Sequence, residues 1–271
     1  MVRLVVPIKQ AAALDEDFEL ADGSTEIDAD FLESDLNEWD NFSVEAAIQI
    51  KEAAGEGEVE VVVVSVGDDD AEEALLACLA KGADRGARIW DEALTDLEPL
   101  MVATVLAAAV RREEPDLVLC GVQSSDAASS ATGVALAGLL ELPHVAVARA
   151  IEFDAAGRTA VVDRELEGGL VEQVSVPTPA LITIQTGANE PRYATLRAIK
   201  QAGAKQLDEL GLEDVGLSAD DVEAGRGART VGIAHPQRGE SSAESLGEDA
   251  GSVADRIMEI VGEQVGERKG A

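Results

Sequence analysis

The strongest constraint on the fold of this chain is an alternation of short apolar runs with longer helical patterns. Residues 59–66 read Val-Glu-Val-Val-Val-Val-Ser-Val, which is typical of a strand buried on both faces. Comparable runs occur at residues 2–8, 88–90 and 117–120, and helical patterns at residues 43–51, 71–81, 99–112 and 129–140 alternate with them. Strands separated by helices predict right-handed βαβ units. We therefore expect an α/β fold with a Rossmann-like, doubly wound and mainly parallel sheet.

The pattern changes after residue 145. Short strand patterns follow at residues 145–147, 160–162, 171–176 and 181–184, and Gly168-Gly169 turns the chain between two of them. These strands predict an antiparallel extension of the sheet. From Gly203 the chain is rich in Gly, Asp, Glu and Ala and poorly patterned. We expect an α/β domain over residues 1–200 and an extended C-terminal arm over residues 201–271, which ends in an amphipathic helix near residues 252–265.

The net charge of the chain excludes some classes of binding partner. The formal net charge is −33, from 54 acidic and 21 basic residues, so nucleic acid and anionic membranes would repel the chain. The acidic excess is spread along the sequence and lysines are few, as a protein in molar salt requires. At about 1 M salt the Debye length is roughly 3 Å, which screens self-repulsion. A hydrophobic content of 46% argues against a disordered acidic chain and favours a folded halophile protein.

Location and metal chemistry can also be judged from the sequence. The chain begins with a strand pattern instead of a signal peptide, and no apolar run reaches the roughly 18 residues of a membrane span. We expect a cytoplasmic protein without membrane insertion. Cys78 and Cys120 lie in apolar patterns and lack metal-ligand spacing, so buried thiols are expected. His144 and His235 are isolated, which disfavours metalloenzyme and hydrolase functions.

A candidate ligand pocket follows from the strand ends. In open parallel sheets, ligands bind beyond the carboxyl ends of the strands. Pro7, Val66 and Gly121 follow three strand patterns, and Asn37 precedes the first helix. A helix N-terminus preceded by small polar residues can bind a phosphate, although a plain helix cap is the alternative. The polar loop that ends in such a helix contributes Gly121, Val122, Gln123, Ser124, Ser125, Asp126, Ser129, Ser130, Thr132 and Gly133.

A second candidate site follows the strand pattern at residues 181–184. Core packing cannot explain Asn, Glu, Arg and Tyr together on one loop, and Pro191 restricts its backbone. One aromatic, two arginines and an apolar leucine have the composition of a protein-binding anchor. The segment comprises Asn189, Glu190, Pro191, Arg192, Tyr193, Ala194, Thr195, Leu196 and Arg197.

Together with Arg-Glu-Leu-Glu-Gly-Gly at residues 164–169, this segment resembles the beta subunit of electron transfer flavoproteins, in an acidic, haloarchaeal-type form. The resemblance extends over roughly residues 1–205, and the C-terminal arm shares little beyond Pro-Gln-Arg at residues 236–238 and a final amphipathic helix. It implies an AMP pocket formed by Pro7, Asn37, Val66 and the loop of residues 121–133. It also places Trp39 near the flavin, whereas a hydrophobic staple over the first helix is the alternative.

The resemblance further implies two protein-binding regions. FAD would be shared with an alpha subunit, and Arg164 and Glu165 would meet its mobile flavin domain. The segment of residues 189–197 would dock flavin dehydrogenases, with Leu196 entering a pocket of the partner between Tyr193 and Arg197. A thin basic patch, Lys200 and Lys205, follows this segment.

The expected function is that of a heterodimeric electron carrier subunit without catalytic residues of its own. By the resemblance, it accepts electrons from flavin dehydrogenases such as the acyl-CoA dehydrogenases of fatty acid oxidation, and passes them to a quinone-reducing oxidoreductase. Two alternatives remain open. One is an electron-bifurcating form with a second FAD in this chain instead of AMP, and the other is a stand-alone sensor that binds an adenine nucleotide.

Overall fold

The computed structural model describes residues 1–14, 18–21, 27–28, 32–234, 246 and 249–269. Its helices are α1 (Glu38–Ala54), α2 (Ala71–Lys81), α3 (Pro99–Glu113), α4 (Thr132–Leu140), α5 (Leu196–Ala202), α6 (Ala219–Gly225) and α7 (Ala250–Lys269). Its strands are β1 (Val2–Pro7), β2 (Gln10–Leu14), β3 (Leu32–Leu36), β4 (Val59–Val66), β5 (Arg85–Ile89), β6 (Leu117–Gly121), β7 (His144–Asp154), β8 (Thr159–Glu165), β9 (Val171–Pro177), β10 (Ala180–Ile184) and β11 (Gln206–Leu210).

Nine strands form one mixed sheet in the order β11-β5-β4-β1-β6-β10-β7-β8-β9. The first seven strands of this order run parallel, and β8 and β9 are antiparallel. Chain order proceeds from β1 through β4 to β5 and then returns to β6, on the other side of β1. The crossovers therefore diverge between β1 and β6, which confirms the doubly wound fold. A separate hairpin pairs β2 with β3.

Alternate side chains of the central strands enter two different cores. Val61 and Val63 of β4 pack with α1 and α2, whereas Val62 and Val64 pack with α3 and α4. Helices thus cover both faces of the parallel strands, and this explains the uniformly apolar runs from which the strands were predicted. Both cysteines are buried, and burial raises the pKa of the Cys78 thiol to about 12.

The expectation that residues 181–184 belong to the antiparallel extension is wrong. β10 pairs in parallel with both β6 and β7, and all five of its residues are buried. The antiparallel extension consists of β8 and β9, which pair next to β7. Gly168 and Gly169 have φ values of 75° and 76° in the connection between them, so this turn occurs where it was predicted.

The chain divides later than residue 200. Residues 1–233 form one compact unit and residues 234–271 another. Residues expected to begin the arm instead form β11, which pairs in parallel with β5, and α6, whose Val222 is buried. In the second unit, α7 is longer than the expected terminal helix. His235 and residues 236–238 lie outside the described residues. None of the helices within the described residues has the length and apolar character of a membrane span.

Candidate functional site

A cavity of about 230 Å³ lies at the carboxyl ends of the neighbouring strands β4, β1 and β6. This is the point where the crossovers diverge, and ligands of doubly wound sheets bind there. The cavity is lined by most of the expected residues: Pro7, Asn37, Val66, Gly121, Val122, Gln123, Ser124, Ser129, Ser130, Thr132 and Gly133. Trp39, Ser125 and Asp126 do not line it.

The lining of this cavity combines apolar and polar groups. Its apolar side chains come from α3, the segment before it and α4, namely Leu97, Pro99, Val102, Leu106 and Leu136. The 121–133 loop contributes hydroxyl and amide groups to the same lining. A lining that combines apolar side chains with polar groups suits a ligand with a flat ring and an attached polar or anionic group.

The 121–133 loop leads directly into the N-terminus of α4. This helix begins at Thr132, three residues later than expected, and has no side-chain cap, which leaves its first N–H groups available to an anion. Ser130 Oγ donates a hydrogen bond of 2.9 Å to Gln123 Oε1. Ala128 and Ser130 both have left-handed backbones, with φ values of 48° and 51°, which are uncommon for residues other than glycine. Such strained positions cluster at binding sites.

The side chain of Asn37 holds this loop through two hydrogen bonds to its backbone. Its Nδ2 donates to the carbonyl oxygen of Gln123 at 2.9 Å, and its Oδ1 accepts from the backbone N–H of Ser125 at 3.0 Å. The residue is only 2% exposed. Asn37 therefore lines the cavity, but both ends of its side chain are already used to hold the loop.

Asp40 was missed by the sequence interpretation. Its carboxylate accepts hydrogen bonds from the backbone N–H of Lys9 at 2.8 Å and of Gly121 at 3.0 Å, and thereby joins the ends of β1 and β6. Burial raises the pKa of Asp40 to about 6, although these hydrogen bonds act to lower it. The spacing of Asp40 to Ser43, Val44 and Ala47 is that of one helical face, a signal that could have revealed it.

Lys9, which lines the cavity, forms an ion pair with Asp126 of the 121–133 loop. The Nζ of Lys9 lies 2.7 Å and 2.6 Å from the two carboxylate oxygens of Asp126. Burial acts to raise the pKa of Asp126, but hydrogen bonds from Lys9 and Ser124 hold it below its usual value. Asp126 therefore holds the loop against the residues after β1, and Lys9 is a further residue missed by the sequence interpretation.

Two glycines permit the close packing around the cavity. A Cβ atom at Gly121 would lie 2.6 Å from Asp40 Oδ1 and 2.6 Å from Trp39 Cβ. At Gly133 it would lie 2.8 Å from the sulfur of Cys120. Trp39 lies close to Gly121 at the start of the loop, and its indole N–H donates to Gln185 Oε1 at 2.8 Å.

The 189–197 segment is exposed at its tip and fastened at its base. Tyr193 is 96% exposed and Leu196 is 80% exposed. Glu190 and Arg197 are also exposed and Pro191 partly so, whereas the guanidinium of Arg192 forms ion pairs with Glu45 and Glu52 of α1. Arg192 is thus used within the subunit.

The expected basic patch after this segment is smaller than its sequence indicates. The Nζ of Lys205 donates to the carbonyl oxygens of Leu79 and Ala83 at 2.9 Å and 2.6 Å, where it caps the end of α2. Lys200 remains exposed. Only one lysine of the pair is therefore available to a partner.

The β8–β9 connection presents a mixed surface. Arg164 lies 3.5 Å from Glu172, and Glu165 is exposed at the end of β8. Leu166, Leu170 and Val171 in and beside the same turn are exposed as well. Apolar residues together at a hairpin tip are typical of a protein-binding surface.

A larger groove of about 550 Å³ lies between α1 and β7. Its lining includes the small residues Ala46, Ala53, Ala54, Ala150 and Ala188. The sequence did not predict this groove. Across the described residues, no group of three His, Cys, Asp or Glu side chains is placed to hold a metal ion.

Comparison with known proteins agrees with this geometry. The family model of the electron transfer flavoprotein domain matches residues 27–215. The chain is 46% identical to the electron transfer flavoprotein subunit beta of Methylophilus methylotrophus over 242 residues, which cover 89% of this chain and 91% of the relative. It is 33% identical to the same subunit of Bos taurus, over 80% of this chain and 84% of the relative. With the subunit of Bacillus subtilis the identity is 34%, over 69% of this chain and 71% of the relative.

Proposed function

The chain belongs to the electron transfer flavoprotein family, as a beta subunit, and from that premise we propose that it is the nucleotide-holding half of a heterodimeric electron carrier. In this function it pairs with an alpha subunit, helps to enclose the FAD of the complex and docks flavin dehydrogenases. The observation that carries the proposal is the cavity with a mixed apolar and polar lining at the point where the crossovers diverge, between β1 and β6.

The cavity supports AMP as the nucleotide of this chain. The N–H groups at the start of α4 and the hydroxyls of Ser129, Ser130 and Thr132 would hold the phosphate. The apolar wall that includes Val102 and Leu106 would face the adenine. FAD is more than twice the size of AMP, so a cavity of about 230 Å³ would need less widening to hold the mononucleotide. The electron-bifurcating alternative requires that second FAD.

FAD supplies the redox chemistry of the complex, and this chain contributes position and access. Trp39 lies outside the AMP cavity and next to Gln185, so it is available to a flavin held by the alpha subunit. Glu165 and the exposed apolar residues of the β8–β9 turn support contact with the mobile flavin domain. The fold of this chain would thereby hold one side of the flavin site.

Leu196 is the proposed knob that enters a pocket of the dehydrogenase. Its exposure, together with that of Tyr193, supports a role that a compact nucleotide sensor would not need. We propose acyl-CoA dehydrogenases as the donor class and a quinone-reducing oxidoreductase as the acceptor. The net charge of −33 supports function in a salt-rich cytoplasm.

Reconstitution with the alpha subunit tests this function. The two chains are mixed with FAD, and the absorbance of the bound flavin is followed after addition of a reduced acyl-CoA dehydrogenase. We expect a stable heterodimer whose flavin is bleached by the dehydrogenase. A chain that remains monomeric in concentrated salt and retains AMP alone would support the sensor alternative.

A further inference from the structure

Arg192 connects the 189–197 segment to α1 through an extended set of hydrogen bonds. Its Nε lies 2.8 Å from Glu45 Oε2, and its Nη2 lies 3.0 Å from Glu45 Oε1. Its Nη1 and Nη2 reach the two oxygens of Glu52 at 2.6 Å and 2.9 Å. The backbone N–H of Arg192 also donates to Glu45 at 3.1 Å. One guanidinium thus engages two carboxylates that lie about two turns apart on the same face of α1.

Further contacts fix the segment on either side of Arg192. Asn189 Nδ2 donates to the carbonyl oxygen of Phe42 in α1 at 2.9 Å. At the other end, Thr195 Oγ1 accepts from the backbone N–H of Ala198 at 3.2 Å and caps the N-terminus of α5. Tyr193 therefore projects from the short stretch between the Arg192 contacts and α5, and Leu196 is the first residue of that capped helix.

The burial of Glu45 shows that it anchors the segment and does not contact a partner directly. The side chain of Glu45 is 5% exposed, whereas that of Arg192 is 32% exposed. Burial alone would raise the pKa of Glu45, but hydrogen bonds from Arg192 and Gln49 hold it below its usual value. Glu45 is therefore charged at neutral pH, already paired, and out of reach of a docking protein.

We propose that Arg192 is a positioning residue, which holds Leu196 in its docking orientation through Glu45 and Glu52. The inference rests on the proposed docking function of Leu196. The 17-residue helix α1 carries Glu45 and Glu52 and also, at its N-terminus, Trp39 and Asp40 beside the cavity. One helix thus sets the position of the docking segment relative to the cofactor region.

If Arg192 preorganises the 189–197 segment for docking, its loss should have a specific kinetic effect. A loosened segment must become ordered when the dehydrogenase binds, and the ordering entropy weakens the complex without affecting the electron-transfer step. We expect Arg192→Gln to raise the KM for the heterodimer about fivefold and to leave kcat unchanged. Arg192→Lys retains a charge but loses the two-pronged geometry, so its KM should be intermediate.

Glu45→Gln is the decisive companion variant, because the docking protein cannot touch this buried side chain. It should raise KM in the same way as Arg192→Gln. Arg158→Gln is the matched control, since it removes an arginine ion pair with Asp116 that is remote in the fold from the 189–197 segment. In hydrogen exchange of the purified heterodimer, amides of residues 193–199 should exchange about tenfold faster in both segment variants and at the wild-type rate in Arg158→Gln.

A double variant separates this inference from the proposed function. If Arg192 acts through Leu196, Arg192→Gln combined with Leu196→Ala should have the KM of Leu196→Ala alone. Unchanged exchange in Arg192→Gln and Glu45→Gln, or additive effects on KM, would overturn the positioning role. If Leu196→Ala itself leaves KM unchanged, the docking function fails instead. If acyl-CoA dehydrogenase does not reduce the wild-type complex, the donor class is wrong and the exchange rates still decide the role of Arg192.

Discussion

The carboxylate of Asp40, in the first turn of α1, accepts a 3.0 Å hydrogen bond from the backbone N–H of Gly121 at the end of β6. Its other oxygen accepts from the N–H of Lys9, just after β1. A single buried side chain therefore joins the two strands between which the crossovers diverge. The cavity owes its shape to this connection, because the 121–133 loop starts at Gly121.

Asp40 should make stability depend on pH. Its pKa is 3.8 when unperturbed and about 6 in the folded protein, because burial disfavours the charge. Between these values the folded state retains a proton that the unfolded state has lost, so the contribution of Asp40 to the free energy of unfolding falls as the pH rises from about 4 to about 6. The full loss above that range is at most about 3 kcal/mol.

Urea unfolding of the wild type and Asp40→Asn, in constant high salt, measures this contribution. The stability difference between the two proteins should change across about pH 4 to 6 and be constant above it. A difference that is the same at every pH would show that Asp40 has an ordinary pKa.

Two glycines of α4 provide a matched pair of substitutions. A Cβ at Gly133 would contact Cys120 at 2.8 Å and Thr183 at 2.9 Å, whereas nothing lies within 4 Å of a Cβ at Gly138. We expect Gly133→Ala to destabilise the fold by about 1–3 kcal/mol and to reduce nucleotide content. Gly138→Ala should stabilise it by up to about 1 kcal/mol. Thermal unfolding and the nucleotide extracted from each variant check this, and equal behaviour of the two would contradict it.

Truncation of Leu196 should weaken docking and nothing else. Its side chain is 80% exposed and contributes little to folding, so Leu196→Ala should retain its flavin and its melting temperature. Reduction by the dehydrogenase should slow by about tenfold, the loss expected for an apolar anchor. Leu100→Ala, which truncates an exposed leucine of α3, is the control and should react at the wild-type rate.

Salt should stabilise the protein. The excess of 54 acidic over 21 basic residues causes a net repulsion within the chain. This repulsion is weakly screened in dilute buffer and strongly screened at high ionic strength. The urea midpoint should therefore rise markedly between about 0.1 M and 2 M KCl. A midpoint that does not change would mean that the acidic surface is not an adaptation to salt.

The central sheet could be predicted because its strands carry a signal of their own. A run such as Val61 to Val64 has no polar side to offer solvent, so burial on both faces is the only arrangement that suits it. The direction of β10 could not be predicted, since a short apolar run reads the same in parallel and antiparallel pairing. β11 was missed because Asp208 and Glu209 interrupt its weak apolar alternation.

Residues of the candidate site that follow the ends of strands could be predicted from the sequence. Residues that act through contacts with distant parts of the chain could not. The 121–133 loop follows a recognisable strand, so the sequence could place it at the strand ends, and most of its predicted residues line the cavity. Asp40 acts on Gly121, which lies 81 residues away, and Glu45 on Arg192, which lies 147 residues away. No local pattern encodes such contacts. Lys205, expected in a docking patch, caps α2 for the same kind of reason.

The nucleotide extracted from the purified chain tests the central proposal most directly. The chain is isolated from its alpha subunit in high salt, denatured, and its released nucleotides are separated and weighed by mass spectrometry. We expect one AMP per chain and no FAD, with the AMP lost in Gly133→Ala and retained in Gly138→Ala. FAD in the chain itself, or no nucleotide at all, would contradict the assignment of the cavity between β1 and β6.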